Sequence, residues 1–143
     1  MASRAAAGLY TPDILAAATR LAAWPWNDAL PLNGAARSPS CGSSIALALD
    51  VDAGGRIAAL GIRPHACAVG QAAASVFAAA ALGMARDDIA TARQAIATWL
   101  SGEGGEPRWP GIALIAPACA YPARHAAILL AWDAALDALP AHR

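Results

Sequence analysis

The chain carries no surplus charge: lysine plus arginine number 10 and aspartate plus glutamate 10 in 143 residues. Without a basic excess it lacks the attraction that draws phosphate backbones or anionic lipid, so binding to nucleic acid or a membrane surface is not expected. Aromatic residues are scarce, at 6%, although five of them are tryptophans. Since 58% of the residues are still hydrophobic, alanine supplies much of the apolar content, and helices are expected to pack closely through small side chains. Cysteine is rare, with three in all, which cannot all pair within the chain. No basic n-region with an apolar h-region opens the sequence, so a disulfide framework and export are disfavoured and a reducing cytoplasm fits best. The one long uncharged run, residues 66–85, is mostly alanine and is diluted by Gln71, Ser75 and two glycines. It reads as a buried helix rather than a membrane span.

Catalytic patterns are also missing. There is no Ser-His-Asp order, no phosphate-binding glycine loop and no acid-base pair of carboxylates, so a hydrolase or nucleotide enzyme is unsupported and the chain reads as a non-enzyme. The two-residue cysteine spacing of zinc ribbons is absent as well.

The length suits one domain, 1–143, with its own core. Thr11-Pro12-Asp13 has the cap, first-turn proline and acid of a helix start, and Ile14, Leu15, Ala18 and Leu21 follow at helical spacing. Trp24-Pro25-Trp26-Asn27 ends that helix, and Pro31 through Pro39 reads as loop, with Asn33-Gly34 a turn signal. From Ser44 the period changes: Ile45, Leu47, Leu49 and Val51 alternate. Ala53-Gly54-Gly55 turns the chain into a second strand through Ile57, Leu60 and Ile62 up to Pro64, with a slip between Ile57 and Leu60 that suggests a bulge. Helices are expected over Val69 to Met84, Asp87 to Leu100 and Ala126 to Leu139. Ser101 to Pro110 reads as a polar connection, and Ile112 to Ile115 as a short run of undecided type. The order implies an α+β fold: a small antiparallel sheet, built on a hairpin at about residues 44–64, with helices packed on one face.

Two thiols frame that hairpin. Cys41 lies in Pro39-Ser40-Cys41-Gly42 before its first strand, and Cys67 follows its second strand where a helix begins. The hairpin therefore should bring both to one rim, an arrangement that suits a soft metal ion or an inorganic sulfur species. At the helix start, free N–H groups and the positive dipole end favour the Cys67 thiolate. Gln71 and Ser75 follow at steps of four on the same helix face, and Gly42 is expected to let the backbone approach a ligand. Each feature also has a plain structural alternative: a buried cysteine acts as a small hydrophobe, His65 serves as a loop residue, and Gln71 and Ser75 satisfy backbone carbonyls.

In order along the chain, Leu9-Tyr10 before the first helix, Pro39-Ser40-Cys41-Gly42 before the hairpin, Cys67 with a small-residue helix reaching Ala74-Ser75, and Leu130-Ala131-Trp132-Asp133-Ala134-Ala135 resemble the U-type iron-sulfur cluster assembly scaffolds, the IscU and NifU N-terminal group. The resemblance covers most of the chain. It implies a SufE/NifU-like α+β fold on which a cluster is built from iron and persulfide sulfur and then passed to client proteins, with a cysteine desulfurase as sulfur donor. By the resemblance the ligands are three cysteines and an aspartate. Cys41 and Cys67 match the first two; Ser43 stands at the aspartate position, and Ala127, or Ala126 after a one-residue shift, at the third cysteine. Cys119 and His125 are the candidates to complete a metal set, and an unrelated thiol is the other reading of Cys119. At Tyr121-Pro122-Ala123-Arg124 only Pro122 and Arg124 match the family's chaperone-binding motif, which gives little support for chaperone recognition.

Three functions follow as expectations. One is a scaffold holding iron or a labile iron-sulfur cluster, with zinc disfavoured by Ser43. Another is a persulfide acceptor working through Cys67. The third is a metal-free binding or regulatory member of the fold.

Overall fold

Thr11 caps the first helix as its sequence implies: the hydroxyl accepts from Ile14 N at 3.2 Å, ahead of α1 (Pro12–Arg20), which buries Ile14 and Ala17. The structure is a computed structural model describing residues 8–39 and 42–141. After α1 come three strands, β1 (Leu32–Arg37), β2 (Ser44–Val51) and β3 (Ile57–His65), in an antiparallel sheet of order β1-β2-β3. Helices α2 (Ala68–Ala81) and α3 (Arg86–Leu100), a 3₁₀ segment (Ile112–Ala120) and α4 (His125–Ala138) complete it. The α+β class and the hairpin stand as read.

The expected loop over Pro31 to Pro39 is instead strand β1, with Leu32 opposite Leu49 and Arg37 opposite Ser44. Asn33-Gly34 is not a turn. Helix α4 crosses β1 so closely that a methyl on Gly34 would collide with Ala134 O and Ala138 N, and would stand 2.7 Å from Ala138 Cβ. The glycine is there to admit a helix backbone, a requirement set a hundred residues away. Asp137 of α4 also accepts from Ala35 N at 2.9 Å, tying the helix to the edge of the sheet.

The slip in the second strand is a bulge. Asp50 pairs with Ala59 and Val51 with Ile57, which leaves Ala58 as the extra residue. On the inner face Ile45, Leu47 and Leu49 are sealed from solvent. Helix α2 is alanine-rich and almost wholly buried, as expected of small side chains in close packing. It begins one residue before the expected Val69 and ends at Ala81 instead of Met84, because Gly83 adopts a left-handed φ of +86°. Helix α3 starts at Arg86, where Asp88 accepts from Ala85 N at 2.9 Å. Among the described residues no helix is long and apolar enough to cross a membrane.

The polar connection after α3 is anchored at its end by Trp109, whose Nε1 donates to Val76 O at 2.9 Å. The ring stacks on Phe77 at 5.6 Å, and both meet Trp132 edge-on at 5.3 Å. This trio joins α2, the connection and α4 in one core. The undecided run beyond it is a 3₁₀ segment extending to Ala120, with Pro117 inside.

Candidate functional site

Strand register brings the two ends of the hairpin together. Ser44, the first residue of β2, pairs with His65, the last of β3. Cys67 lies two residues beyond His65 and is the N-cap of α2, with φ −62° and ψ 167°. Its carbonyl accepts from Gln71 N at 2.9 Å to open the helix, while its thiol is half-buried and unpaired with another cysteine. Cys41 lies outside the described residues. On either side of it, Ser38 N donates to Ser43 O at 2.8 Å and Gly42 N to Ser38 O at 3.0 Å. Gly42 has φ +71° and nothing within 4 Å of where a side chain would begin, so the described contacts make it a turn glycine. Ser43 is 5% exposed and interacts within the fold.

The helix face behind Cys67 follows the structural alternative in part. Gln71 turns back to donate from Nε2 to Ala66 O at 2.8 Å, bracing the residue before Cys67. Ser75 is buried, and its Oγ has no hydrogen-bond partner among the described residues.

The third position approaches from α4. Ala127 is fully buried, and a methyl on Gly70, in the first turn of α2, would stand 3.6 Å from Ala127 Cβ and 3.5 Å from its carbonyl oxygen. The first turns of α2 and α4 therefore adjoin, with Cys67 capping one and His125 opening the other. An alanine at 127 fills the contact with a methyl and supplies no donor atom.

Cys119 and His125 are joined to each other. The His125 Nε2 stands 3.2 Å from both Ala118 O and Cys119 O. A carbonyl only accepts, so Nε2 carries the proton, and in the neutral ring Nδ1 is the nitrogen with a free lone pair. Burial pushes the Cys119 thiol up from its ordinary range, and the charge of Glu106 adds to the effect, against a backbone hydrogen bond that lowers it. Among the described residues no group of three His, Cys, Asp or Glu side chains is assembled for a metal ion. A recess of about 620 Å³ between Leu82, Met84, Asp88, Thr91, Arg108 and Trp109 has none of these thiols in its lining.

Sequence reasoning missed the surroundings: β1, the Gly70–Ala127 contact, and the stacking of Arg63 on Trp26 at 4.0 Å. The signal for β1 was Leu32, Gly34 and Ala36, small or apolar on alternate positions.

No protein-family model and no curated protein matches the chain. Solved structures do. A nitrogen-fixing NifU-like protein (N-terminal) from Brucella abortus is 28% identical, with 94% of each chain covered and a TM-score of 0.80. A protein assigned as an iron-sulfur cluster assembly scaffold for the SUF system (FiSufU), from the thermophile Fervidobacterium islandicum AW-1, is 20% identical over 92% of this chain and 97% of its own, with a TM-score of 0.81. The agreement covers more than nine-tenths of the chain and gives this protein the U-type iron-sulfur cluster assembly scaffold fold, of the NifU N-terminal and SufU kind.

Proposed function

We propose that this single-domain protein is a scaffold for iron-sulfur cluster assembly, holding iron or a labile cluster as cargo through Cys41 and Cys67. The observation that supports the reading is the Ser44–His65 pairing, which joins the start of β2, three residues after Cys41 in sequence, to the end of β3, two residues before Cys67, in a fold shared with scaffold proteins. Thiolates suit iron in a cluster, and imidazole can replace thiolate on one iron. Cys119 and His125 are the residues offered to complete the set, His125 through Nδ1. Ala127 offers no ligand, so the cargo is held weakly, as transfer to a client requires. A cysteine desulfurase is the sulfur donor in this reading, and the setting is the cytoplasm.

The position of Cys67 at the N-cap of α2 supports a second reading, persulfide relay, which needs only one reactive thiol. The Cys67 thiolate attacks the outer sulfur of a donor cysteine persulfide. A Cys67 S–S bond forms, the donor S–S bond breaks, and the donor leaves as a thiolate.

Anaerobic reconstitution with ferrous iron and sulfide tests the two. A scaffold develops thiolate-to-iron charge-transfer absorption that fades quickly under chelator. Cys119→Ala or His125→Ala speeds the fading if that residue is a ligand. A protein that binds no iron, yet gains one sulfur at Cys67 by mass spectrometry after incubation with a persulfide donor, is the relay.

A further inference from the structure

Cross-strand partners share a face of an antiparallel sheet, and alternate positions return to it. On the outer face, Arg37, Ser44 and His65 form one row across the three strands, and Ala35, Ala46 and Arg63 form the next. Arg37, Arg63 and His65 are exposed around a floor of small side chains. Farther along, the segment 25–27 crosses the face: a methyl on Gly61 would stand 3.1 Å from Asn27 N and 3.2 Å from Trp26 Cα. Trp26 is thereby set beside Arg63, whose guanidinium carbon lies 4.0 Å from the ring centroid. The ring is itself fixed by Nε1, which donates to Asp28 Oδ1 at 2.7 Å. A guanidinium held over an aromatic ring has already given up side-chain freedom while its N–H donors can still reach a ligand, so a ligand finds it oriented.

These two rows hold two arginines, a histidine and no carboxylate. Asp50, on the same face, lies at the far end of β2 and accepts from Val51 N at 2.9 Å. Asp28 and Asp137, at the rims, accept from Trp26 and from Ala35 N. We propose that this end of the outer sheet face is a docking surface for a short acidic segment of a partner protein, a pair of Asp or Glu side chains received by Arg37 and Arg63. Guanidinium binds carboxylate through two parallel hydrogen bonds, a geometry an ammonium group lacks. The strand spacing makes the patch only about 10 Å wide from Arg37 to His65. That suits a pair of carboxylates, whereas a nucleic acid or an anionic vesicle extends beyond it and meets the chain's 10 acidic residues. The patch adjoins the thiol rim, since His65 lies two residues before Cys67, but it does not depend on what Cys67 carries.

The test is fluorescence anisotropy of fluorescein-labelled deca-glutamate with the full chain. Binding is expected at low ionic strength and weakens as salt is raised. Arg37→Glu with Arg63→Glu lowers affinity at least about tenfold, whereas Arg20→Glu with Arg108→Glu, the same charge change at two other exposed arginines, leaves it within about twofold. Cys67→Ser binds as the parent does, which separates the surface from the thiol site. If the reversed pair does not fold by circular dichroism, Arg37→Gln with Arg63→Gln replaces it. Absence of binding, equal losses in both pairs, or tighter arginine-dependent binding of duplex RNA or phosphatidylglycerol vesicles overturns the proposal.

Discussion

Cys119 and Cys67 differ most in what surrounds their sulfurs. Cys119 is held in a 3₁₀ segment where burial pushes its thiol up, so a smaller fraction is thiolate at neutral pH. Cys67 caps a helix at the rim. Iodoacetamide near neutral pH is therefore expected to label Cys67 faster than Cys119, with the Cys119 rate catching up only at higher pH; peptide mass mapping reads both. Equal rates, or a faster Cys119, contradict this. The same shift has a sign in stability. The folded chain holds the Cys119 proton to higher pH than the unfolded chain does, so the stability it confers is complete below the unfolded value of about 8.5 and is lost as pH rises through the folded one. The urea midpoint of the parent should fall more steeply above that pH than that of Cys119→Ala.

Among the elements, β1 shows where close packing is decided by a single atom. A methyl at Gly34 meets the backbone of α4 at Ala134 and Ala138, and neither backbone can yield as a flexible side chain would. Gly34→Ala is expected to lower stability by about 1–3 kcal/mol or more, read from urea denaturation. A change below 0.5 kcal/mol would mean that α4 can lift off the sheet at small cost. At the other end of the scale, Thr11→Ala removes the bond to Ile14 N and should cost about 1 kcal/mol. The contrast explains what could be read in the chain. The start of α1, the alternation of β2, the bulge at Ala58 and the buried alanines of α2 are local consequences of residue type, and they were legible. Strand β1 was not, because Asn33-Gly34 carries the signature of a turn while its glycine answers to a helix distant in sequence. The site divides the same way: Cys67 at a helix start could be found from its neighbours, but the approach of Ala127 to Gly70 is a tertiary fact.

For the whole molecule, one rim gathers the hairpin ends and the first turns of α2 and α4, and in the proposed function the number of ligands offered there governs how firmly cargo is held. If position 127 is where a third ligand belongs, Ala127→Cys should slow loss of a reconstituted cluster to chelator, since the residue already faces the first turn of α2. No gain in retention, in a variant shown to be folded, places the third ligand elsewhere. The most direct measurement is the iron retained per chain after anaerobic reconstitution and gel filtration, for the parent and for Cys41→Ser with Cys67→Ser. A scaffold built on these two thiols retains iron with charge-transfer absorption in the parent and loses both in the double variant. Equal retention by the two proteins contradicts the account.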